Sequence, residues 1–164
     1  MAANAEEIAE RLRSHGLRAT RPRVRVYAAV SSLPGHPEVR EIIECLEAKG
    51  DLVSTQAVYD SLQALTAAGL VRRIEPAGSA ARFETRVGDN HHHIVCRACG
   101  VTQDVDCAVS AAPCLSPDGA AGFLVDEAEI TFWGVCPDCR AAIATESAAA
   151  TNPTLSQSQE ESQR

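Results

Sequence analysis

Cys96-Arg97-Ala98-Cys99 and its later counterpart Cys136-Pro137-Asp138-Cys139 organise the C-terminal half of this 164-residue chain. Two Cys-x₂-Cys motifs in one chain are typical of a tetrahedral zinc site with four thiolate ligands. The alternatives are a redox disulfide set or unrelated buried cysteines. We predict a structural Zn²⁺ that ties the first strand turn of this region to its last helix. Its ligands would be Cys96, Cys99, Cys136 and Cys139.

Three consecutive histidines, His91-His92-His93, lie just upstream of the first cysteine motif. On a strand, His91 and His93 would point to one face and His92 to the other. Because thiolates and imidazoles favour different metals, a second metal site is expected beside the first. One structural ion and one exchangeable ion are the pattern of a metal-responsive sensor.

The composition argues against a membrane protein and against a secreted one. Hydrophobic residues make up 45% of the chain, yet no apolar run approaches the ~20 residues that a membrane helix needs. Residues 1–7 are acidic and contain no apolar segment, which argues against a secretory signal. We therefore expect a cytoplasmic protein with no membrane partner, whose cysteines bind metal rather than form disulfides.

The net charge of −7 is distributed unevenly. Residues 1–89 carry 12 basic and 12 acidic groups, whereas residues 90–164 carry 3 basic and 10 acidic groups. A cluster of arginines lies near the N-terminus and comprises Arg11, Arg13, Arg18, Arg21, Arg23 and Arg25. Phosphate binding requires such a local basic patch whatever the total charge, although a solvated arginine face is the simple alternative.

Four helices and a hairpin are predicted in the first part of the chain. The helices are expected at residues 5–15, from Thr20 to Leu33, from His36-Pro37 to Lys49, and from Ser54 or Thr55 to Gly69. A hairpin is expected where Leu70–Glu75 and Ala80–Arg86 flank a Pro-Ala-Gly-Ser turn. This order indicates a winged helix-turn-helix, with the fourth helix for recognition and the hairpin as its wing.

The second part of the chain has a strand pattern. Strands are expected at His92–Cys96, Val101–Val105 and Phe123–Trp133, followed by a helix after Cys136-Pro137. The predicted fold is α+β, with an N-terminal winged-helix DNA-binding domain and a C-terminal α/β dimerisation domain that carries the Cys₄ zinc site. The expected divisions are residues 1–86, a hinge at 87–90, the metal-binding domain at 91–146 and a disordered tail at 147–164.

An ordered set of short motifs resembles the ferric uptake regulator (Fur) family of metal-dependent transcriptional repressors. The motifs are Leu17-Arg18-Ala19-Thr20, His36-Pro37, Ser54-Thr55 with Val58-Tyr59, Arg82-Phe83-Glu84, the three histidines and both cysteine pairs. The resemblance covers about residues 5–143. Two runs, Asp89–Cys96 and Asp126–Gly134, are most similar to the peroxide-responsive FurA/CatR branch.

The resemblance implies a regulatory metal site and a DNA surface. The implied metal ligands are His36, Glu84, His91, His93 and Asp104, a set that suits Fe²⁺, Mn²⁺ or Zn²⁺. The implied contacts to a double-stranded DNA operator are Arg18, Arg21, Arg23, Ser54, Thr55, Gln56 and Tyr59. Partial packing of Tyr59 against the second helix is the alternative for that residue. Asp60 stands where many family members have arginine, which removes one expected DNA contact.

Three further cysteines lie outside the paired motifs. Cys107 and Cys114 are candidates for a second redox pair, with two unrelated thiols as the alternative. Cys45 lies beside the apolar face of the third helix and is expected to be a core residue.

The favoured hypothesis is a homodimeric, zinc-stabilised repressor of oxidative-stress defence genes that responds to peroxide through Fe²⁺ (or Mn²⁺) at the regulatory site. The alternative is an iron- or zinc-responsive uptake regulator of the same family. A metallohydrolase or thiol-redox enzyme is the third hypothesis, but the chain has no His-Glu-x-x-His motif and no pairing of a nucleophile with a base. We therefore do not expect an enzyme.

Overall fold

The computed structural model describes residues 4–107, 115, 119–125 and 128–150. The helices in this part of the chain are Ala5–Ser14 (α1), Arg21–Ser32 (α2), Val39–Ala48 (α3), Thr55–Ala67 (α4) and Pro137–Ala150 (α5). The strands are Arg72–Ile74 (β1), Arg82–Glu84 (β2), His91–Cys96 (β3), Thr102–Asp106 (β4) and Thr131–Gly134 (β5). The predicted α+β class is confirmed.

Local capping explains where the helices begin. Asn4 and Glu7 form a reciprocal capping box at the start of α1, and the Ser54 hydroxyl accepts a hydrogen bond from the Ala57 amide at the start of α4. Thr20 precedes α2 as expected, but its side chain makes no capping bond. Helix α3 begins at Val39 with Glu38 as its cap, so the prediction that His36-Pro37 opens this helix is wrong.

The hydrophobic core lies between helices α1 to α4 and the hairpin. Each helix contributes at least one side chain that is almost fully buried, and Phe83 of β2 closes the cluster from the wing. The largest of these buried residues include Leu12, Val26, Ile42, Leu62 and Leu65. Burial of a side chain of this size stabilises the fold by roughly 1.5–3 kcal/mol. This core therefore holds α4 and the wing in one fixed arrangement.

The wing is attached to the loop before α3 by polar contacts. The Arg82 guanidinium donates to the Glu38 carboxylate (2.8 Å) and to the His36 carbonyl oxygen (3.1 Å). The Phe83 amide donates to the Pro37 carbonyl oxygen (3.0 Å). These contacts place Glu84, at the end of β2, close to His36.

The C-terminal sheet has the order β4-β3-β5, with β3 in the centre. Strand β3 is antiparallel to β4, where His93 is opposite Asp104, and parallel to β5, where Cys96 is opposite Gly134. A tight turn joins β3 to β4, and Gly100 in this turn has a φ of 76°, which favours glycine. The register therefore brings the histidines of β3 beside an acidic residue of β4.

Two sequence-based expectations for this half are wrong. Of the described residues in the strand expected at Phe123–Trp133, only those from Thr131 onward belong to a strand, β5, which pairs with His93–Cys96 of β3, and Phe123 is exposed. The disordered tail was expected from residue 147, but α5 continues to Ala150, consistent with the high helix propensity of its alanines. Residues 151–164 lie outside the described part, and the expected domain divisions stay a prediction.

Candidate metal centres and nucleic-acid surface

The four cysteines of the two Cys-x₂-Cys motifs come together as predicted. Their sulfur atoms all lie within 4.8 Å of one another. The Sγ atoms of Cys99 and Cys136 are 3.8 Å apart, and the Cys136 amide donates to Cys96 Sγ at 3.3 Å. The turn after β3 thus meets the first residues of α5, which is the connection expected of a structural zinc site.

The pKa values of two of these thiols differ widely, which shows that the four do not ionise equally in the absence of a cation. Backbone N–H groups of Cys136 and Cys99 lower the pKa of Cys96 to about 6, because they stabilise its thiolate. Hydrogen bonding with Cys136 and Cys99, together with burial, raises the pKa of Cys139 to about 12. Four adjacent thiolates repel one another, so a bound cation is what would allow all of them to ionise.

A second cluster lies between the helical part and the sheet. His36 Nε2 is 2.7 Å from Asp104 Oδ1 and 3.4 Å from Glu84 Oε2. His93 Nε2 is 3.3 Å from Glu84 Oε1 and 3.8 Å from Asp104 Oδ1. Potential ligand atoms of these four residues all lie within 4.8 Å of one another. The α2–α3 loop, the wing and two strands each supply one residue.

His91 is adjacent to this group of four rather than inside it. Its Nε2 is 3.1 Å from Glu84 Oε1 and 3.9 Å from Asp104 Oδ1. The His92 ring lies elsewhere, with its centroid 6.4 Å from that of Phe132, as the strand alternation predicts. The structure thus brings all five predicted residues into one neighbourhood, while their role as ligands stays a prediction.

The residues fit a hard or borderline divalent cation. His93 is only 1% exposed, and its Nε2, which faces Glu84 and Asp104, makes no well-aligned hydrogen bond among the described residues, although a buried polar atom normally makes one. His36 Nδ1 lies 3.2 Å from the Thr102 carbonyl oxygen, which leaves Nε2 directed at the carboxylates. Imidazoles combined with carboxylates suit Fe²⁺, Mn²⁺ or Zn²⁺.

The electrostatics of the cluster also favour a cation. Burial would raise the pKa of Glu84, but hydrogen bonds with His36 and His93 hold it well below its usual value. Burial opposes the charged form of His36, but Glu84 and Asp104 raise its pKa above the usual value. The buried Glu84 carboxylate and the more exposed Asp104 carboxylate are therefore stabilised by positive charge on these rings or on an ion.

A cavity of about 410 Å³ opens beside this cluster. Its lining includes His36, Glu84 and Asp104 of the cluster, together with Val30 and Leu33 at the end of α2. Small solutes can therefore reach the cluster from solvent.

Sequence analysis missed two residues next to the cluster, Arg86 and Asp89. The Asp89 carboxylate contacts His91 Nδ1 at 2.7 Å and accepts a hydrogen bond from Arg86 Nε at 2.6 Å. Arg86 also donates to Asp104 and Asp106. An Arg-x-x-Asp spacing is common on protein surfaces, and only the fold shows that it lies against predicted ligands.

Helix α4 presents a polar face to solvent. Tyr59 is 53% exposed, so about half of its side chain is accessible to a partner, and partial packing on α2 stays the alternative. Gln56 Nε2 donates to Asp60 Oδ1 at 2.8 Å, so the two exposed side chains form a pair one helical turn apart. Thr55 is exposed at the start of the helix, next to the capping Ser54. This face has the groups that contact bases and phosphates, and DNA binding by them stays a prediction.

The arginine cluster divides into two groups. In the first group, Arg11 donates a hydrogen bond to the Tyr27 hydroxyl. Arg13 forms ion pairs with Glu6 and Glu10. Arg25 forms an ion pair with Asp51. The three predicted phosphate contacts are Arg18, Arg21 and Arg23. Arg18 and Arg21 are exposed, and Arg23 donates to the Arg18 carbonyl oxygen at 3.1 Å. Arg21 also approaches the Asp51 carboxylate, at 4.0 Å, but its side chain is 78% exposed. The second group is thus the one that we expect to contact phosphates.

The remaining cysteines do not form a described site. Cys107 is half-buried at the end of β4, while Cys114 lies outside the described residues, so their redox pairing stays a prediction. Cys45 packs against the helical core, with its Sγ 3.9 Å from Ser32 Oγ.

None of the helices described is long and apolar enough to cross a membrane.

Comparison with known proteins gives consistent results. The profile of the ferric uptake regulator family matches residues 14–113. The chain is 59% identical over 133 residues to the transcriptional regulator FurA of Mycobacterium tuberculosis, which covers 81% of this chain and 90% of that protein. It is 27% identical over 135 residues to the peroxide-responsive repressor PerR of Staphylococcus epidermidis, and this alignment covers 82% of this chain and 89% of that protein.

A solved structure supports the fold. The ferric uptake regulator of Pseudomonas aeruginosa with manganese superimposes with a TM-score of 0.60 at 25% identity, over 78% of this chain and 96% of that one. The predicted combination of a winged helix with a C-terminal α/β unit is therefore confirmed. With the profile matching more than half of the sequence and FurA similar along most of its length, the chain belongs to the ferric uptake regulator family.

Proposed function

We propose that this metal-responsive transcriptional regulator is a homodimeric repressor that binds an operator when a divalent ion occupies the second cluster. The observation that carries the proposal is the convergence of His36, Glu84, His93 and Asp104 within 4.8 Å. The first two belong to the part that presents α4, and the last two belong to the sheet. An ion bound by all four would fix one part relative to the other.

The contacts around the cluster suggest how this signal reaches DNA. His36 precedes α3 and Glu84 ends the wing, and Arg82 ties these two segments together. Movement at the cluster would therefore move α4 and the wing as one unit. In a dimer, such a movement changes the distance between the two recognition helices, and this distance sets the half-site spacing that the protein can bind.

An exposed apolar surface on the sheet supports the homodimer. Ile94 of β3 and Phe132 of β5 are register partners, and they are 39% and 46% exposed. Val101 and Val135 nearby are also exposed. Adjacent exposed apolar side chains on a sheet mark an interaction surface, and a second copy of the chain is its proposed occupant.

We further propose that the four-cysteine cluster holds a structural Zn²⁺. A site with four thiolate ligands is closed, because it leaves no position for a substrate. The enzymatic alternative is not favoured, since the relatives are named as transcriptional regulators.

The proposed signal is hydrogen peroxide. Fe²⁺ bound at the second cluster would supply the electrons that reduce peroxide and so cause oxidation of a nearby side chain. His36, His91 and His93 are the buried rings around the cluster. His36 also lines the adjacent cavity, through which peroxide would approach the cluster. The likeness to PerR, a peroxide-responsive repressor, supports this proposal at 27% identity. Oxidative-stress defence genes would then be the regulated targets.

A specific observation also favours the alternative, an iron- or zinc-responsive uptake regulator. The family whose profile matches the chain takes its name from the regulation of ferric uptake. This alternative uses the same cluster but requires that operator binding follow metal supply and ignore peroxide. The expected cytoplasmic location is common to both functions and stays a prediction.

One experiment distinguishes the two functions. Operator binding by the zinc-loaded protein would be measured by gel shift with Fe²⁺ or with Mn²⁺, before and after a low dose of peroxide. Loss of binding by the Fe²⁺ form alone, with one oxygen atom added to peptides that contain His36, His91 or His93, would support peroxide sensing. Release from DNA without oxygen on these peptides would contradict oxidation of histidine, and equal survival of both forms would favour the uptake regulator.

A further inference from the structure

Arg86 lies in the segment between the wing and the central strand, and all three nitrogens of its guanidinium contact carboxylates. Nε donates to Asp89 Oδ2 (2.6 Å), Nη1 to Asp104 Oδ2 (3.2 Å) and Nη2 to Asp106 Oδ1 (2.8 Å). Asp89 belongs to the same segment as Arg86, whereas Asp104 and Asp106 belong to β4. One side chain therefore joins this connecting segment to the edge of the sheet.

Two of these three carboxylates lead directly to the second cluster. The other oxygen of Asp104, Oδ1, faces His36 at 2.7 Å. The other oxygen of Asp89, Oδ1, lies 2.7 Å from His91 Nδ1. A carboxylate at Nδ1 keeps the proton on that nitrogen, so the lone pair of the neutral ring is on Nε2, the atom that faces Glu84. Only Asp106, with a side chain that is 86% exposed, leads to no member of the cluster.

We propose that Arg86 is the positioning residue of the regulatory metal site, since it orients Asp104 directly and His91 through Asp89. The proposal rests on the proposed function, because it assigns a role toward the ion expected there. It assigns the role to the shape of the guanidinium and not to its charge. A planar fork can hold three carboxylates in fixed directions at once, whereas the lysine ammonium is a point charge on a flexible chain.

The charge of Arg86 by itself would act in the opposite direction. A positive group beside the cluster repels an incoming cation, so its removal would strengthen metal binding if charge were its only contribution. The two roles therefore predict opposite results for the same substitutions. Loss of a contact that orients a metal ligand typically weakens metal binding by roughly 10–100-fold.

The test is the affinity of the full-length, zinc-loaded protein for Mn²⁺, measured by isothermal titration calorimetry on five variants and the unchanged protein. Arg86→Lys keeps the charge, and Arg86→Gln removes it. Asp89→Leu removes the contact with His91, and Asp106→Asn weakens only the contact that does not lead to the cluster. Arg73→Lys, in an exposed ion pair of the wing with Glu75, is the matched control.

We expect Mn²⁺ affinity to fall roughly tenfold or more for both Arg86 variants and for Asp89→Leu. Asp106→Asn should stay within about twofold of the unchanged protein, because Asp106 contacts Arg86 but no predicted ligand, and the oxygen of the new amide can still accept from Arg86. Arg73→Lys should do the same, because Arg73 pairs with Glu75 in the wing. At saturating Mn²⁺ the Arg86→Lys variant should regain normal operator affinity, which a variant with a damaged fold would not do. Zinc content and thermal stability are measured on every variant to separate these cases.

Unchanged Mn²⁺ affinity in Arg86→Lys would overturn the inference, and tighter binding by Arg86→Gln would show that charge repulsion is the role of Arg86. Absence of Mn²⁺ binding by the unchanged protein is a different result. It would contradict the proposed metal site itself.

Discussion

His36 Nε2 lies 2.7 Å from Asp104 Oδ1, although one residue precedes α3 and the other belongs to the edge strand of the C-terminal sheet. This contact joins the part of the chain that presents α4 to the part that presents the apolar sheet surface. With Glu84 and His93 beside it, the contact lies where an ion would control the relative position of the two parts.

Removal of His93 should abolish regulation by metal without loss of the fold. In His93→Ala, we expect the Mn²⁺ concentration needed for half-maximal operator binding to rise at least roughly tenfold, because one imidazole of the cluster is lost. Fluorescence anisotropy with a labelled operator measures this change. His15→Ala, at an exposed histidine that follows the last residue of α1, is the control and should behave as the unchanged protein.

Loss of one cysteine of the four should release zinc and destabilise the chain. In Cys139→Ser, we expect less than one zinc per chain and a melting temperature lower by roughly 10 °C or more, since each kcal/mol corresponds to about 2–4 °C for a chain of this size. Elemental analysis and calorimetry measure the two quantities. Cys45→Ala, which alters a cysteine outside the cluster, should retain its zinc; loss of zinc in that variant instead would contradict the assignment.

The arginines that remain exposed should account for part of the salt dependence of DNA binding. For Arg18→Ala and Arg21→Ala, the slope of log affinity against log salt should become shallower by roughly one unit each, because each removes one phosphate contact. Arg13→Ala is the control, since Arg13 pairs with Glu6 and Glu10. An equal change in the control would mean that only overall charge matters.

Tyr59 should contribute to operator choice rather than to stability. In Tyr59→Ala, we expect operator binding to weaken by about 1–3 kcal/mol, while binding to unrelated DNA changes little. Because the side chain is more than half exposed, the free energy of unfolding should change by less than about 0.5 kcal/mol. Competition assays and denaturant titration measure these effects, and a large loss of stability would instead indicate that Tyr59 packs on α2.

The parts of this structure that depend on local spacing were predictable from sequence. The two Cys-x₂-Cys motifs predict their own cluster, and the alternation of His91 and His93 predicts which face of β3 they occupy. The proximity of His36 to Glu84 could not be predicted from local spacing. It depends on contacts that Arg82 and Phe83 make with the loop before α3, which is distant in the sequence. Only the resemblance to a family placed them in the set in advance.

Other features could not be predicted because no pattern encodes them. The pattern at Phe123–Trp133 predicts a long strand, but the strand described there is Thr131–Gly134, which pairs with His93–Cys96 of β3. Arg86 and Asp89 have the spacing of an ordinary surface ion pair, and their contacts with His91 and Asp104 exist only once β3, β4 and the connecting segment are assembled.

The most direct test of the account is operator affinity measured while Mn²⁺ is titrated into the zinc-loaded protein, for the unchanged chain and for His36→Ala. The account predicts that Mn²⁺ raises the affinity of the unchanged protein at least roughly tenfold, and that His36→Ala shows no such rise in the same Mn²⁺ range, because the joint between the two parts is lost. Equal operator affinity with Mn²⁺ and with a chelator that spares the zinc would contradict the claim that this cluster controls DNA binding.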